Sequence, residues 1–235
     1  MLAPDILEQR LHAQAVAVLK KLGRVHIPGF LEEDAAHALY DALGGLPWSI
    51  TYRNGEQGIE APVASFASLN GPERADFLHG LYEQAGRGFQ HLYESFRIGA
   101  GGQMEGLLSE FFAALNSTPM LNYLRALTGD PSIAYVDARA TCYRPGYFLT
   151  EHEDALERGQ RLFAFELNLT PRWQPDWGGQ LLFVRPDGHV AEAYTPAWNA
   201  LNIFKTPQPH AISVVAPFAQ GVRYAIGGWI CAEKP

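Results

Sequence analysis

The stretch "LFAFELNLTPRWQPDWGGQLLFV" (162–184) decides the fold. It holds two short apolar and aromatic runs, "LFAFELNLT" and "GQLLFV", parted by a turn rich in Pro, Asp and Gly. Each run is too short for a helix that must bury a face, and such runs bounded by turn chemistry read as strands. The same pattern holds throughout the chain after "TGDP" (128–131), on both sides of 162–184: "SIAYVDARATCY", "HVAEAY", "ALNIFK", "AISVVAPF" and "RYAIGGWI". Turns at Arg144-Pro145-Gly146 and Pro186-Asp187-Gly188 punctuate them. About seven strands at this spacing predict a sandwich or a jelly-roll barrel.

Upstream of residue 130 the character differs. Leu7, Leu11, Ala15, Val18 and Leu22 recur at three or four residues, as a helix requires. "RVHIPGF" (24–30) and "WSITYR" (48–53) read as strands, and "LEEDAAHALYDAL" opens with the acids a helix N-terminus favours. "GPERADFLHGLYEQAGRGFQHLYESFRI" (71–98) carries a helical pattern through Phe77, Leu81, Phe89 and Tyr93, and two more helices are expected across 103–128. Residues 52–68, polar and Gly-rich, are expected to form a mobile loop that meets substrate. With no repeat, low-complexity tract or free linker, the organisation predicted is one domain: a helix-rich 1–129 packed on a β core at 130–235.

Composition narrows the function. A formal charge of −7 argues against nucleic acid or an anionic membrane as main partner. Cys142 and Cys231 are too few and too far apart for a disulfide framework or zinc spacing, so a reducing cytoplasm is expected. The N-terminal stretch, interrupted by Asp5, Glu8 and Arg10, is neither a signal peptide nor a membrane span.

The chemistry starts at "YFLTEHEDALERG" (147–159). In an extended segment residues two apart share a face, so His152 and Asp154 can reach one ion while Glu153 points elsewhere. Alone, H-x-D is a weak signal, and two solvated polar residues are the commoner case. A ferrous oxygenase needs two His and one carboxylate with open positions left over, so a third ligand must come from another strand. His210, after Pro207 and Pro209, supplies one. Arg223 follows thirteen residues later. A hairpin between them would set a guanidinium beside His210 to clamp a dicarboxylate. The other histidines (12, 26, 37, 79, 91 and 189) carry no such context. Trp173 and Trp177 are expected to shape a turn and cover the barrel mouth.

"CYRPGYFLTEHED", "LNLTPRWQPDWGGQLLF" and "PHAISVVAPFAQGVRYAIGGWI", in that order, resemble the Fe(II)/2-oxoglutarate-dependent dioxygenases, in their prolyl 4-hydroxylase-like branch. The resemblance implies a double-stranded β-helix core of the jelly-roll or cupin kind, with the N-terminal helices packed on it. It implies His152, Asp154 and His210 as iron ligands and catalytic centre, with Arg223 as clamp for the 2-oxoglutarate carboxylate. Tyr143 matches a tyrosine that precedes the H-x-D strand in the family. Asn168 stands where several members place a tyrosine, and an amide there can still bind the cosubstrate. The implied reaction uses O2, turns 2-oxoglutarate into succinate and CO2, and hydroxylates a C–H bond, with ascorbate as an accessory reductant. The implied substrate is a small molecule or a peptide, proline-containing ones included. An intact Asp154 favours hydroxylation over halogenation. The rivals are 2-oxoglutarate-driven desaturation or demethylation, and a metal-binding jelly-roll sensor without turnover. A zinc hydrolase is disfavoured, since no H-E-x-x-H helix accompanies the ligands.

Overall fold

A computed structural model describes residues 9–99, 106–154 and 161–232. Helix α1 (Gln9–Leu22) leads into β1 (Arg24–Pro28) and α2 (Glu33–Gly44), and a hairpin follows, β2 (Ser49–Asn54) and β3 (Gln57–Pro62). Next come α3 (Val63–Ala67), α4 (Gly71–Ala85), β4 (His91–Ile98), α5 (Leu107–Leu115) and α6 (Thr118–Thr128). The rest is β: β5 (Tyr135–Val136), β6 (Ala138–Tyr143), β7 (Phe148–His152), β8 (Arg161–Leu169), β9 (Leu181–Val184), β10 (Val190–Tyr194), β11 (Trp198–Lys205), β12 (His210–Ile212) and β13 (Arg223–Cys231). The strands join antiparallel in the order β1-β11-β8-β13-β6-β4-β7-β12-β9-β10, with β2 and β3 extending from β4 and β5 capping β13. The path curls into a nearly closed, barrel-like sandwich; α1, α2, α5 and α6 pack in one core, and α3 and α4 in the other. None of the described helices is long and apolar enough to cross a membrane.

Strand β8 shows how the layers arise. Phe163, Phe165, Leu167 and Leu169 alternate into the core beneath the helices, where they meet Leu39, Phe111 and Leu127. Ala164 turns the other way, into the second core between the two halves of the barrel, with Phe183, Phe204 and Ile212. Period-two alternation buries both faces of the strand, which is why it reads as nearly continuous apolar sequence. Each fully buried Leu or Phe contributes about 1.5–3 kcal/mol.

Three expectations are corrected. Residues 91–98 form strand β4, not the end of a helix. Helix α4 opens with a capping box between Asn70 and Glu73 and ends at Ala85, ahead of Gly86 and Gly88. Phe89 and Tyr93 are four residues apart, a spacing that fits one helix face and one strand face equally, so the helical period extends spuriously across the glycines. Residues 52–68 are not an open loop: they belong to the β2–β3 hairpin, turned at Gly55 with φ 61°, and to α3. Finally, β12 and β13 do not form a hairpin. β12 pairs with β7 and β9, whereas β13 pairs with β5, β6 and β8, so the connection crosses from one half of the barrel to the other.

Candidate metal centre and its cavity

His152 is the last residue of β7, and His210, the first of β12, lies directly opposite it in the antiparallel register. Their ring centroids are 4.1 Å apart. Asp154 reaches the pair by another route than strand alternation: its backbone turns into the left-handed region, φ 56°, just past the end of β7. Aspartate tolerates that conformation better than most residues. The turn brings Asp154 Oδ1 to 3.5 Å from His152 Nε2 and Oδ2 to 3.5 Å from His210 Nε2. One ligand atom from each of the three lies within 4.8 Å of the others.

The remaining ring nitrogens are anchored behind this cluster. His152 Nδ1 lies 3.0 Å from the Thr150 carbonyl and His210 Nδ1 2.8 Å from that of Gln208. A carbonyl can only accept, so Nδ1 carries the proton and the Nε2 lone pair faces Asp154. Burial, then the neighbouring His152, pushes His210 down to about 4, so it is neutral at pH 7. Burial works to raise Asp154, yet the polar groups of His152 and His210 beside it outweigh burial and hold the carboxyl below its usual range. Two imidazoles anchored through Nδ1 and one carboxylate fit a ferrous ion with open positions.

The cluster opens into a cavity of about 230 Å³. Phe89, Leu149, Phe204 and Ile212 make its wall apolar, and Arg139, Glu166 and His91 are among its polar features besides the cluster. Tyr143 also lines it; its ring stacks on Tyr93 at 5.3 Å and lies 5.0 Å from the Arg223 guanidinium carbon. Burial, then Tyr93, holds its hydroxyl protonated far above the usual range. Arg223 is buried behind this wall, 1% exposed, with its stem against Gly179. A Cβ on Gly179 would come within 3.2 Å of Arg223 Cδ, and its φ of 64° suits glycine. Arg223 Nη2 donates to Glu166 Oε1, and Asn168 Nδ2 donates to Glu166 Oε2 at 3.2 Å. Asn168 itself is absent from the cavity lining, so it touches the site through Glu166. Trp173 donates to the Gly178 carbonyl at 2.8 Å and packs edge-on against Trp177 at 5.4 Å, closing the turn after β8.

Sequence reasoning misses Glu166, His91 and Arg139. Glu166 and Asn168, two apart in an otherwise apolar strand, were the available signal. Arg139 carried one too, at the same spacing from Thr141 and Tyr143 in β6. His91 offered none, because its segment reads as helix. Both of its ring nitrogens are buried without a hydrogen-bond partner. Burial, then Arg53, His152 and Arg139, lowers it to about 4.

Residues 138–231, which carry the cluster, Arg223 and most of the cavity wall, match the sequence profile of the 2OG-Fe(II) oxygenase superfamily. Over that span the chain is similar to the 2OG-Fe(II) oxygenase superfamily. No curated protein matches this chain in sequence. Solved structures share its fold: a prolyl-4-hydroxylase of Pseudomonas putida (18% identity, TM-score 0.64) matches over 95% of this chain and 100% of its own. A 2OG-Fe(II) oxygenase family oxidoreductase of Burkholderia pseudomallei (15%, 0.65) matches over 95% and 92%. A Trichoplax adhaerens prolyl hydroxylase, solved with a peptide fragment of the hypoxia inducible factor oxygen degradation domain (17%, 0.64), matches over 97% and 96%. The chain thus has the prolyl hydroxylase-like, double-stranded β-helix fold of these structures, and the superfamily that residues 138–231 match is one of Fe(II)- and 2-oxoglutarate-using oxygenases.

Proposed function

We propose that this chain is a 2OG-Fe(II) oxygenase that hydroxylates a C–H bond on a small-molecule or peptide-borne substrate and couples that step to conversion of 2-oxoglutarate into succinate and CO2. One observation carries the reading: the ligand atoms of His152, Asp154 and His210 converge within 4.8 Å at the end of an apolar-walled cavity. In this reading the three residues hold ferrous iron, which supplies O2 activation and chelates the 2-oxo acid when bound. The Thr150 and Gln208 carbonyls keep both imidazoles in the ligating tautomer. Tyr143 in the wall and Arg223 behind Glu166 receive the far carboxylate of the cosubstrate, and Asn168 acts one step back, by holding Glu166. Phe89, Leu149 and Ile212 exclude water and suit an aliphatic ring or chain, so a prolyl side chain is the substrate class proposed. Chain 1–235 acts as one domain in a reducing cytoplasm, where Cys142 and Cys231, both buried and free, stay reduced.

The test is an anaerobic titration of metal-free protein with Fe(II) and 2-oxoglutarate, followed by aerobic assay of succinate. A saturable visible charge-transfer band, absent in His152→Ala, together with succinate release is the expected result. Folded, iron-loaded protein that gives neither band nor succinate would overturn the proposal.

A further inference from the structure

Arg223 is the largest of the fully buried side chains, and it is charged. Only Nη2 has a partner, Glu166; Nε and Nη1 are buried with no acceptor among the described residues. Idle buried donors are rare in folded proteins, and they mark a place for an incoming acceptor. Yet the guanidinium does not face the cavity directly. Glu166 lines the cavity and Arg223 does not, so the carboxylate stands between the two. It is firmly held there. Besides Arg223, its Oε2 accepts from Asn168 at 3.2 Å and from Asn202 at 3.4 Å, and Asn202 Oδ1 lies 2.7 Å from His26 Nδ1. Three strands, β8, β11 and β13, contribute to the hold.

We infer that Glu166 is a resident competitor for Arg223, a specificity-determining residue that lowers affinity for a 2-oxo acid with a second carboxylate. The inference rests on the proposed function, in which Arg223 receives the far end of the cosubstrate. A diacid arriving there meets a guanidinium already paired with a carboxylate. It either shares Arg223 with a like charge or displaces Glu166 from its three donors. Both routes weaken binding. A 2-oxo acid of the same length with a methyl terminus neither competes for Arg223 nor is repelled by Glu166. The preference for the diacid, large when an arginine stands alone, is therefore compressed in this chain.

The experiment measures dissociation constants on the anaerobic Fe(II)-loaded protein, read from the visible charge-transfer band. The ligands are 2-oxoglutarate and 2-oxopentanoate, and the proteins are wild type and Glu166→Gln. The amide keeps the shape and removes the competing charge. The expected result is 2-oxoglutarate binding about tenfold tighter or more in Glu166→Gln, with 2-oxopentanoate changed less than about twofold. Unchanged or weaker 2-oxoglutarate binding in that variant overturns the inference. Should the variant not fold, wild type alone decides. A preference for 2-oxoglutarate under about tenfold supports the competitor, and a larger one overturns it. A wild-type protein that binds iron but neither oxo acid fails the proposed function itself, and the competitor falls with it. The two failures are thereby distinguishable.

Discussion

His91 and His210 are both kept neutral by burial, each lowered to about 4 against an ordinary 6.5. Only His210 sits in the ligand cluster. A histidine that resists protonation when folded and accepts it when unfolded makes stability depend on pH. Between pH 4 and 6.5 the unfolded chain binds more protons. The stability contributed is therefore fully present above 6.5 and is lost as pH falls toward 4. For His91 alone the loss between pH 7 and pH 5 is about 2 kcal/mol. His91→Leu in the metal-free protein should remove that share. Denaturant midpoints at the two pH values, compared between wild type and variant, measure it. Equal losses in the two would show that His91 titrates normally. At this scale the sequence was partly legible. His152, Asp154, His210 and Arg223 stand out because their order and spacing restrict them jointly. Glu166 does not, because a lone acid in a strand reads equally well as a residue turned to solvent. The route of Asp154 was also hidden, since a left-handed aspartate and an extended one have the same letter.

Among the elements, β13 has a position with no room for added bulk. Gly228 lies where that strand passes the β5–β6 connection, and a Cβ there would come within 2.1 Å of the Asp137 carbonyl oxygen. The obstacle is backbone, which cannot step aside as a side chain can. Gly228→Ala is expected to destabilise at the upper end of the roughly 1–3 kcal/mol typical of overpacking, or to prevent folding. Urea denaturation checks it, and a midpoint within error of wild type would show that β13 can shift. Pairing partners are where the sequence says least. Strands β6, β8, β11 and β13 announce themselves through dense alternating apolar residues, whereas β4 shares its i, i+4 spacing with a helix. Which strands pair is set by long-range contacts that no local pattern encodes, so the supposed hairpin between His210 and Arg223 failed although each strand was correct.

Across the whole molecule, one buried ion pair ties β4 to the turn that joins its two neighbours, β6 and β7. Glu94 on β4 is 1% exposed, and its carboxylate takes Arg144 Nε at 2.6 Å and Nη2 at 3.0 Å, from the turn before β7. Arg144 itself is partly exposed. The two truncations should therefore be unequal. Arg144→Ala strands a buried carboxylate and is expected to cost about 3–5 kcal/mol. Glu94→Gln leaves a guanidinium that water can reach, and is expected to cost roughly 1–2 kcal/mol. Chemical denaturation of both variants tests the order, and a larger loss for Glu94→Gln would contradict it.

The sheet order has a further consequence. The metal-type cluster stands on β7 and β12, the guanidinium and its carboxylate on β13 and β8, and β6 and β4 lie between β13 and β7. The connection from β12 to β13 crosses that interval as well, so the two ends of the site are tied by chain and by sheet together. The spacing between them is thus set by backbone, a ruler made of ladder hydrogen bonds and not of side chains. Point substitutions can change what a guest's tail must be made of, but its length is gauged by that backbone.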